Sequence, residues 1–273
     1  PGAAEVGEIQ VRIQGGVCAA HYEHGQTTNA QWATQLETCL APWVEIETDK
    51  VVFAVTRQEA MNIPDVSELM DFWDEVMDAM ADLEGSDYDR VRPERFTLDR
   101  QISAGALHSG YPVMGHLRHH EGLLDLTYIR ANGSWGPFHE LGHNHQWRDW
   151  FLPGTTEATC NLWSVYIHEE ILGLPTRLEG RLGPEMRAQR RNGYLEGGAD
   201  FDNAWSVWVA LDTYLQLQEG FGWEMFATVF SDYRQESDAG EGTAQDRIDE
   251  WVERTSAYAQ RDLGPFYLAW GFP

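Results

Sequence analysis

Polar and apolar positions alternate along Glu8-Ile9-Gln10-Val11-Arg12-Ile13, the period of a half-buried strand. From Gln31 to Leu40, Trp32, Leu36 and Leu40 recur four apart, which predicts a short helix with those three on one face. Val44–Val55 returns to a strand pattern. Asp65 is placed to cap a long helix carrying Leu69, Phe72, Trp73, Val76, Met77 and Met80 at helical spacing. Between Phe96 and Met114, short strand-like pieces are separated by glycines. Beyond Gly136 the period becomes helical over His139–Trp150, Glu157–Leu172, Ala204–Gln218, Gly222–Tyr233 and Gln245–Tyr258, punctuated by Pro153-Gly154, Gly173, Pro175 and Gly197-Gly198. The pattern predicts an α+β chain. A mixed α/β half at 1–135 leads into a mostly helical half at 136–273, the two forming one catalytic unit.

With 273 residues, 42% hydrophobic and 12% aromatic, the chain can bury a sizeable core. It has no run of about 18 apolar residues, so no membrane span is expected. Charge changes the picture more. There are 44 acidic residues against 19 basic ones, a net charge of −25, which disfavours nucleic acid and anionic lipid as partners. Lys50 is the single lysine, which fits either solubility in high salt or an arginine-rich coding bias. Of three cysteines, Cys18 and Cys39 could close an N-terminal loop, leaving Cys160 beside the candidate site.

That site starts at His139-Glu140-Leu141-Gly142-His143. Two histidines four apart on a helix project from one face and can share a zinc ion (Zn2+), while Glu140 can reach a metal-bound water as general base. A catalytic zinc needs a third protein ligand. The metzincin pattern would place a glycine and a histidine three and six residues after His143, where Gln146 and Asp149 stand instead. The gluzincin pattern asks for a glutamate on the next helix, and Glu157 opens one. Asn161, a turn further on, is placed to orient a ligating imidazole. Glu169 and Glu170 are rival third ligands that read better as a solvated pair.

Four further residues are candidates for the substrate side. The segment around 104–114 is expected to supply an edge strand that pairs with substrate backbone. Within it, His108 and Tyr111 could stabilise the transition state, with packing as the competing role. Trp135 could stack on a sugar or side chain, with core packing as the competing role, and His145, on a different face from the ligands, is expected to line the cleft or bond a neighbouring loop.

The run Gly136-Pro137-Phe138-His139-Glu140-Leu141-Gly142-His143-Asn144-His145-Gln146 resembles metallopeptidase family 60, the enhancin-like and mucinase group. Thr155-Thr156-Glu157-Ala158-Thr159-Cys160-Asn161-Leu162-Trp163, with His108-Ser109-Gly110-Tyr111-Pro112, is most similar to its TRP-channel-associated-factor branch. The resemblance implies a thermolysin-like gluzincin fold, zinc held by His139, His143 and Glu157, and Glu140 as base. It also implies hydrolysis of peptide bonds in O-glycosylated, mucin-like protein, and secretion or display at a cell surface. Two alternatives stand beside it: a non-catalytic zinc-containing module that binds glycoprotein, and a zinc aminopeptidase acting on short peptides.

Overall fold

The computed structural model describes residues 10–86, 91–236 and 240–273. Its elements run β1 (His21–Glu23), α1 (Asn29–Thr38), β2 (Trp43–Glu47), β3 (Val51–Thr56), α2 (Arg57–Ala60), α3 (Val66–Glu84), β4 (Glu94–Asp99), β5 (Leu107–His108) and β6 (Val113–His116). The helices α4 (Glu121–Leu124), α5 (Leu126–Asn132), α6 (Trp135–His145), α7 (Thr156–Tyr166), α8 (Pro184–Glu196), α9 (Val207–Phe221), α10 (Trp223–Gln235), α11 (Ala244–Ala259) and α12 (Gly264–Ala269) follow. The strands form one mixed sheet in the order β1-β2-β3-β4-β6-β5, with β5 antiparallel to β6 at the edge. The α+β class expected from the sequence is the observed one.

Helix α3 ties the sheet to the helices. Asp65 caps its first turn by accepting from the Glu68 N–H, and Gly85 ends it in the left-handed conformation. A side chain at Gly85 would overlap the Ala227 carbonyl of α10. Trp73 of α3 touches Phe53 of β3, Phe96 of β4 and Phe138 of α6 at centroid distances of 5.3, 5.8 and 5.8 Å. One continuous aromatic core therefore reaches from the sheet to the helix of His139. On the far side, Trp150, Trp163 and Phe230 stack around the junction of α7 and α10.

Several expectations are corrected. Residues 8 and 9 lie outside the described residues, and 10–13 form no strand: Val11 and Ile13 are 77% and 83% exposed. The sheet begins instead at β1. Helix α1 starts earlier, opened by a capping box of Thr28 and Gln31, and stops at Thr38, so Leu40 lies beyond it and 74% exposed. The stretch Val44–Val55 is an antiparallel pair of strands, β2 and β3. Within 104–114 only β5 lies at a sheet edge; β6 is paired on both sides, and Pro112 sits in the turn between them. Helix α8 escaped the pattern because Tyr194 is its one buried side chain, leaving no apolar stripe to read.

Candidate metal centre

Helix α6 begins at Trp135, one turn ahead of His139, so Trp135, His139 and His143 share a face. Helix α7 crosses it closely because position 142 is glycine: a Cβ there would overlap the Cys160 carbonyl oxygen. That contact brings Glu157, in the first turn of α7, over the two imidazoles. Glu157 Oε2 lies 3.2 Å from His139 Nε2 and 3.4 Å from His143 Nε2.

Each ring is oriented through its other nitrogen. His139 Nδ1 lies 2.8 Å from Asn161 Oδ1, and His143 Nδ1 lies 2.8 Å from Gln146 Oε1. An amide oxygen accepts, so both Nδ1 atoms carry the proton and both Nε2 atoms turn a lone pair toward Glu157. Donors held by zinc at about 2.0–2.1 Å in a tetrahedron stand about 3.3 Å apart. The two observed separations match that edge. Two imidazoles and one carboxylate are also the donor set of a catalytic zinc. The residues fit the metal.

Cys160 belongs to the same cluster by distance, with Sγ 3.3 Å from His139 Nδ1 and 3.7 Å from Nε2. Burial, then the carboxylates of Glu157 and Glu140, push its thiol far above the usual range in the metal-free chain. Its sulfur is nearer the nitrogen that faces Asn161 than the one that faces Glu157. It packs against the His139 ring.

Glu140 projects beside this trio. Burial raises its pKa, the two imidazoles lower it, Glu157 raises it and the nearby Ser109 backbone lowers it; the net direction is upward. Ser109 follows β5 at the sheet edge. Asn144 fixes that edge: its Nδ2 donates to Glu94 Oε2 at 2.8 Å and to Gly110 O at 3.1 Å, while Oδ1 accepts from Gly110 N at 3.2 Å.

The remaining candidates fall in different places. His108 lies in β5 at the edge, its Nε2 2.9 Å from Ser103 Oγ. Tyr111 is 42% exposed beneath the Arg92 guanidinium, 3.4 Å from its ring centroid. Trp135 donates its indole N–H to Asn161 Oδ1 at 2.9 Å. His145 does not line the cleft. It is fully buried, with Nδ1 2.7 Å from Glu84 Oε2 at the end of α3, because two residues beyond His143 a helix turns to its opposite face. Glu169 is no solvated side chain either: Arg177 binds it at 2.7 Å and Thr176 Oγ1 donates to it at 2.5 Å. Gln146 was missed as a partner of His143; the available signal was an amide three residues after a ligating histidine.

A cavity of about 660 Å³ has Trp135, one turn ahead of His139, in its wall with His168, Glu179, Arg181 and Trp208; none of the candidate metal ligands lines it. Its volume is that of a small-ligand or side-chain pocket.

Residues 15–271 match the family model described as "Peptidase M60, enhancin and enhancin-like". The chain belongs to the M60 peptidase family. It is 43% identical over 267 residues to TRPM8 channel-associated factor 3 of Rattus norvegicus and 42% identical over 275 residues to TRPM8 channel-associated factor 2 of Homo sapiens. Those alignments cover 97% and 100% of this chain but 29% and 30% of the relatives, so the chain spans under a third of their length. Among solved structures, a metallopeptidase from Bacteroides thetaiotaomicron superposes with TM-score 0.74 at 19% identity, covering 92% of this chain and 45% of that one. A functionally unknown conserved protein from Bacillus anthracis str. Ames gives 0.79 at 22%, covering 92% and 53%. At these identities the likeness is one of fold. Family and fold together support a metallopeptidase. No described helix is long and apolar enough to cross a membrane.

Proposed function

We propose that this M60 domain is a zinc peptidase that hydrolyses peptide bonds in protein, with His139, His143 and Glu157 as metal ligands and Glu140 as general base. The observation that carries the reading is the convergence of both Nε2 atoms on one Glu157 oxygen with the Glu140 carboxylate alongside. A zinc ion held there would act as a Lewis acid and supply a water of lowered pKa. Glu140 would take a proton at its carboxylate and return it to the leaving amine. The upward direction of its pKa brings that carboxyl nearer the working pH, which suits a group that must both accept and release a proton. The β5 edge would align substrate backbone beside the site.

The substrate side of the proposal is an O-glycosylated protein. Trp135 and Trp208 offer aromatic faces and Asn132, Thr176 and Glu179 offer hydrogen-bonding groups in the adjoining cavity, a mixture suited to a sugar. Two structural neighbours carry glycans in their descriptions: a metallopeptidase in complex with Tn antigen, and the M60 catalytic domain of Clostridium perfringens ZmpC with sialyl T antigen. An extracytoplasmic setting belongs to the same proposal, and a Cys18–Cys39 disulfide favours it.

A peptide library presented with and without O-glycans tests the reading. Glycan-dependent internal cleavage, abolished by Glu140→Gln, is the expected result. Release of N-terminal residues only would replace it with an aminopeptidase, and zinc binding without any cleavage with a binding module.

A further inference from the structure

We propose that Trp135 is a positioning residue for the metal site: its indole N–H, acting through Asn161, fixes the His139 imidazole, while the same ring forms a wall of the adjoining cavity. The inference rests on the metallopeptidase reading and adds to it a coupling between cavity and metal.

Asn161 is 2% exposed, and three of its four hydrogen-bonding valences are filled. Its Oδ1 accepts from Trp135 Nε1 at 2.9 Å and from His139 Nδ1 at 2.8 Å, and its Nδ2 donates to the Glu157 carbonyl at 2.7 Å. An amide oxygen has two lone pairs, so the two N–H groups saturate it. The third bond sets the amide's orientation, because a flipped side chain would face its own donor with two others. Removing the indole donor leaves a buried lone pair unpaired and lets the amide rotate away from His139, at a cost that water cannot offset in so closed a position.

The ring is equally fixed on its other side. His168 lies 5.5 Å and Trp208 6.4 Å from it, centroid to centroid, and both line the same cavity. Whatever fills that cavity bears on a ring whose N–H terminates one bond away from a metal ligand. A substrate group seated there would be felt in the chemical step as well as in binding. Were Trp135 only a wall, phenylalanine would serve as well.

Zinc affinity of Trp135→Phe, measured by competition with a chelating dye, tests this directly. Loss of an outer partner of a ligand costs about 10–100-fold in metal affinity or activity, and a drop of about tenfold is expected here. Trp135→Phe should add little to Asn161→Ala, since both remove the same link. Trp208→Phe removes a wall ring with no bond to Asn161 and should keep wild-type zinc affinity. In turnover, Trp135→Phe should lower kcat while leaving KM within about twofold for peptides too small to enter the cavity. On the unmutated chain, the Trp135 indole N–H resonance should shift and exchange more slowly when zinc is added. Wild-type zinc affinity in Trp135→Phe, full additivity with Asn161→Ala, or an indole resonance blind to zinc would each overturn the proposal. Because these readouts need no turnover, a chain that binds zinc but cleaves nothing would sink the peptidase reading and leave this one standing.

Discussion

Gln146 Oε1 lies 2.8 Å from His143 Nδ1, and the same side chain donates from Nε2 to Thr156 O at 2.6 Å and to Thr159 Oγ1 at 2.5 Å. One amide at the end of α6 thus orients a candidate metal ligand and fastens it to the first turn of α7, where Glu157 stands. Gln146→Ala is predicted to weaken zinc binding by about 10–100-fold, with little change in thermal stability of the metal-free chain. Titration with a competing chelator checks it, and wild-type affinity would show that His143 needs no such partner.

Glu140→Gln preserves shape and removes the base. Zinc should remain bound at wild-type stoichiometry while hydrolysis falls by at least about 100-fold, the scale of a lost general base. Metal analysis of the purified variant beside a peptide-cleavage assay separates the two effects. Undiminished turnover would exclude Glu140 from the chemistry.

Gly142→Ala attacks the packing that assembles the centre. Its methyl group would overlap the Cys160 carbonyl, which is backbone and cannot swing aside. Overpacking of this kind costs about 1–3 kcal/mol, and here it also pushes Glu157 away from the imidazoles. Both a lower unfolding midpoint and weaker zinc binding are expected; loss of neither would mean that the helices tolerate more separation than their contact implies.

Glu84 links the two halves of the chain. It stands at the end of α3, accepts from buried His145 two residues past His143, and pairs with Arg234 of α10. Glu84→Leu removes the carboxylate that buried His145 and the partly exposed Arg234 share and is expected to destabilise the fold by about 1–3 kcal/mol. Urea unfolding of the variant gives the number; a loss under about 1 kcal/mol would show that the cluster is wet and replaceable.

Glu219 supplies a pH test away from the metal. Burial raises its pKa, but hydrogen bonds and charge from Arg187 and Arg177 outweigh that, so the carboxyl sits below the ordinary glutamate range. A lowered carboxylate pKa contributes stability that is present above the unfolded-state value and is lost as pH falls through the folded one. Its side chain is 41% exposed, so solvent screening limits the contribution to about 1 kcal/mol or less. Melting curves of wild type and Glu219→Gln should differ near neutral pH and converge in acid. A constant gap at all pH values would assign the effect to packing.

Long amphipathic elements were readable because their packing repeats along the chain. Asp65 and the stripe from Leu69 to Met80 specify α3 with no help from distant residues, and His139, Glu140 and His143 are four apart or less, so one helical turn sets their relation. The same locality explains the errors. Val11 and Ile13 alternate like a strand, yet a strand needs a neighbour to bond, and nothing in six residues says whether one is present. Helix α8 has no apolar stripe, so its sequence carried no period to find.

By itself, then, the sequence determined the groups that one turn of helix can hold: two imidazoles, a carboxylate beside them, and a glutamate on a following helix. Tertiary structure decided which groups serve them. Gln146 is held against His143 by its bonds to Thr156 and Thr159 of α7, buried His145 finds a carboxylate because α3 brings Glu84 to it, and Trp135 meets Asn161 across two helices. Hydrogen bonds between elements depend on how those elements pack, and packing is a property of the whole core, written in no single stretch of residues.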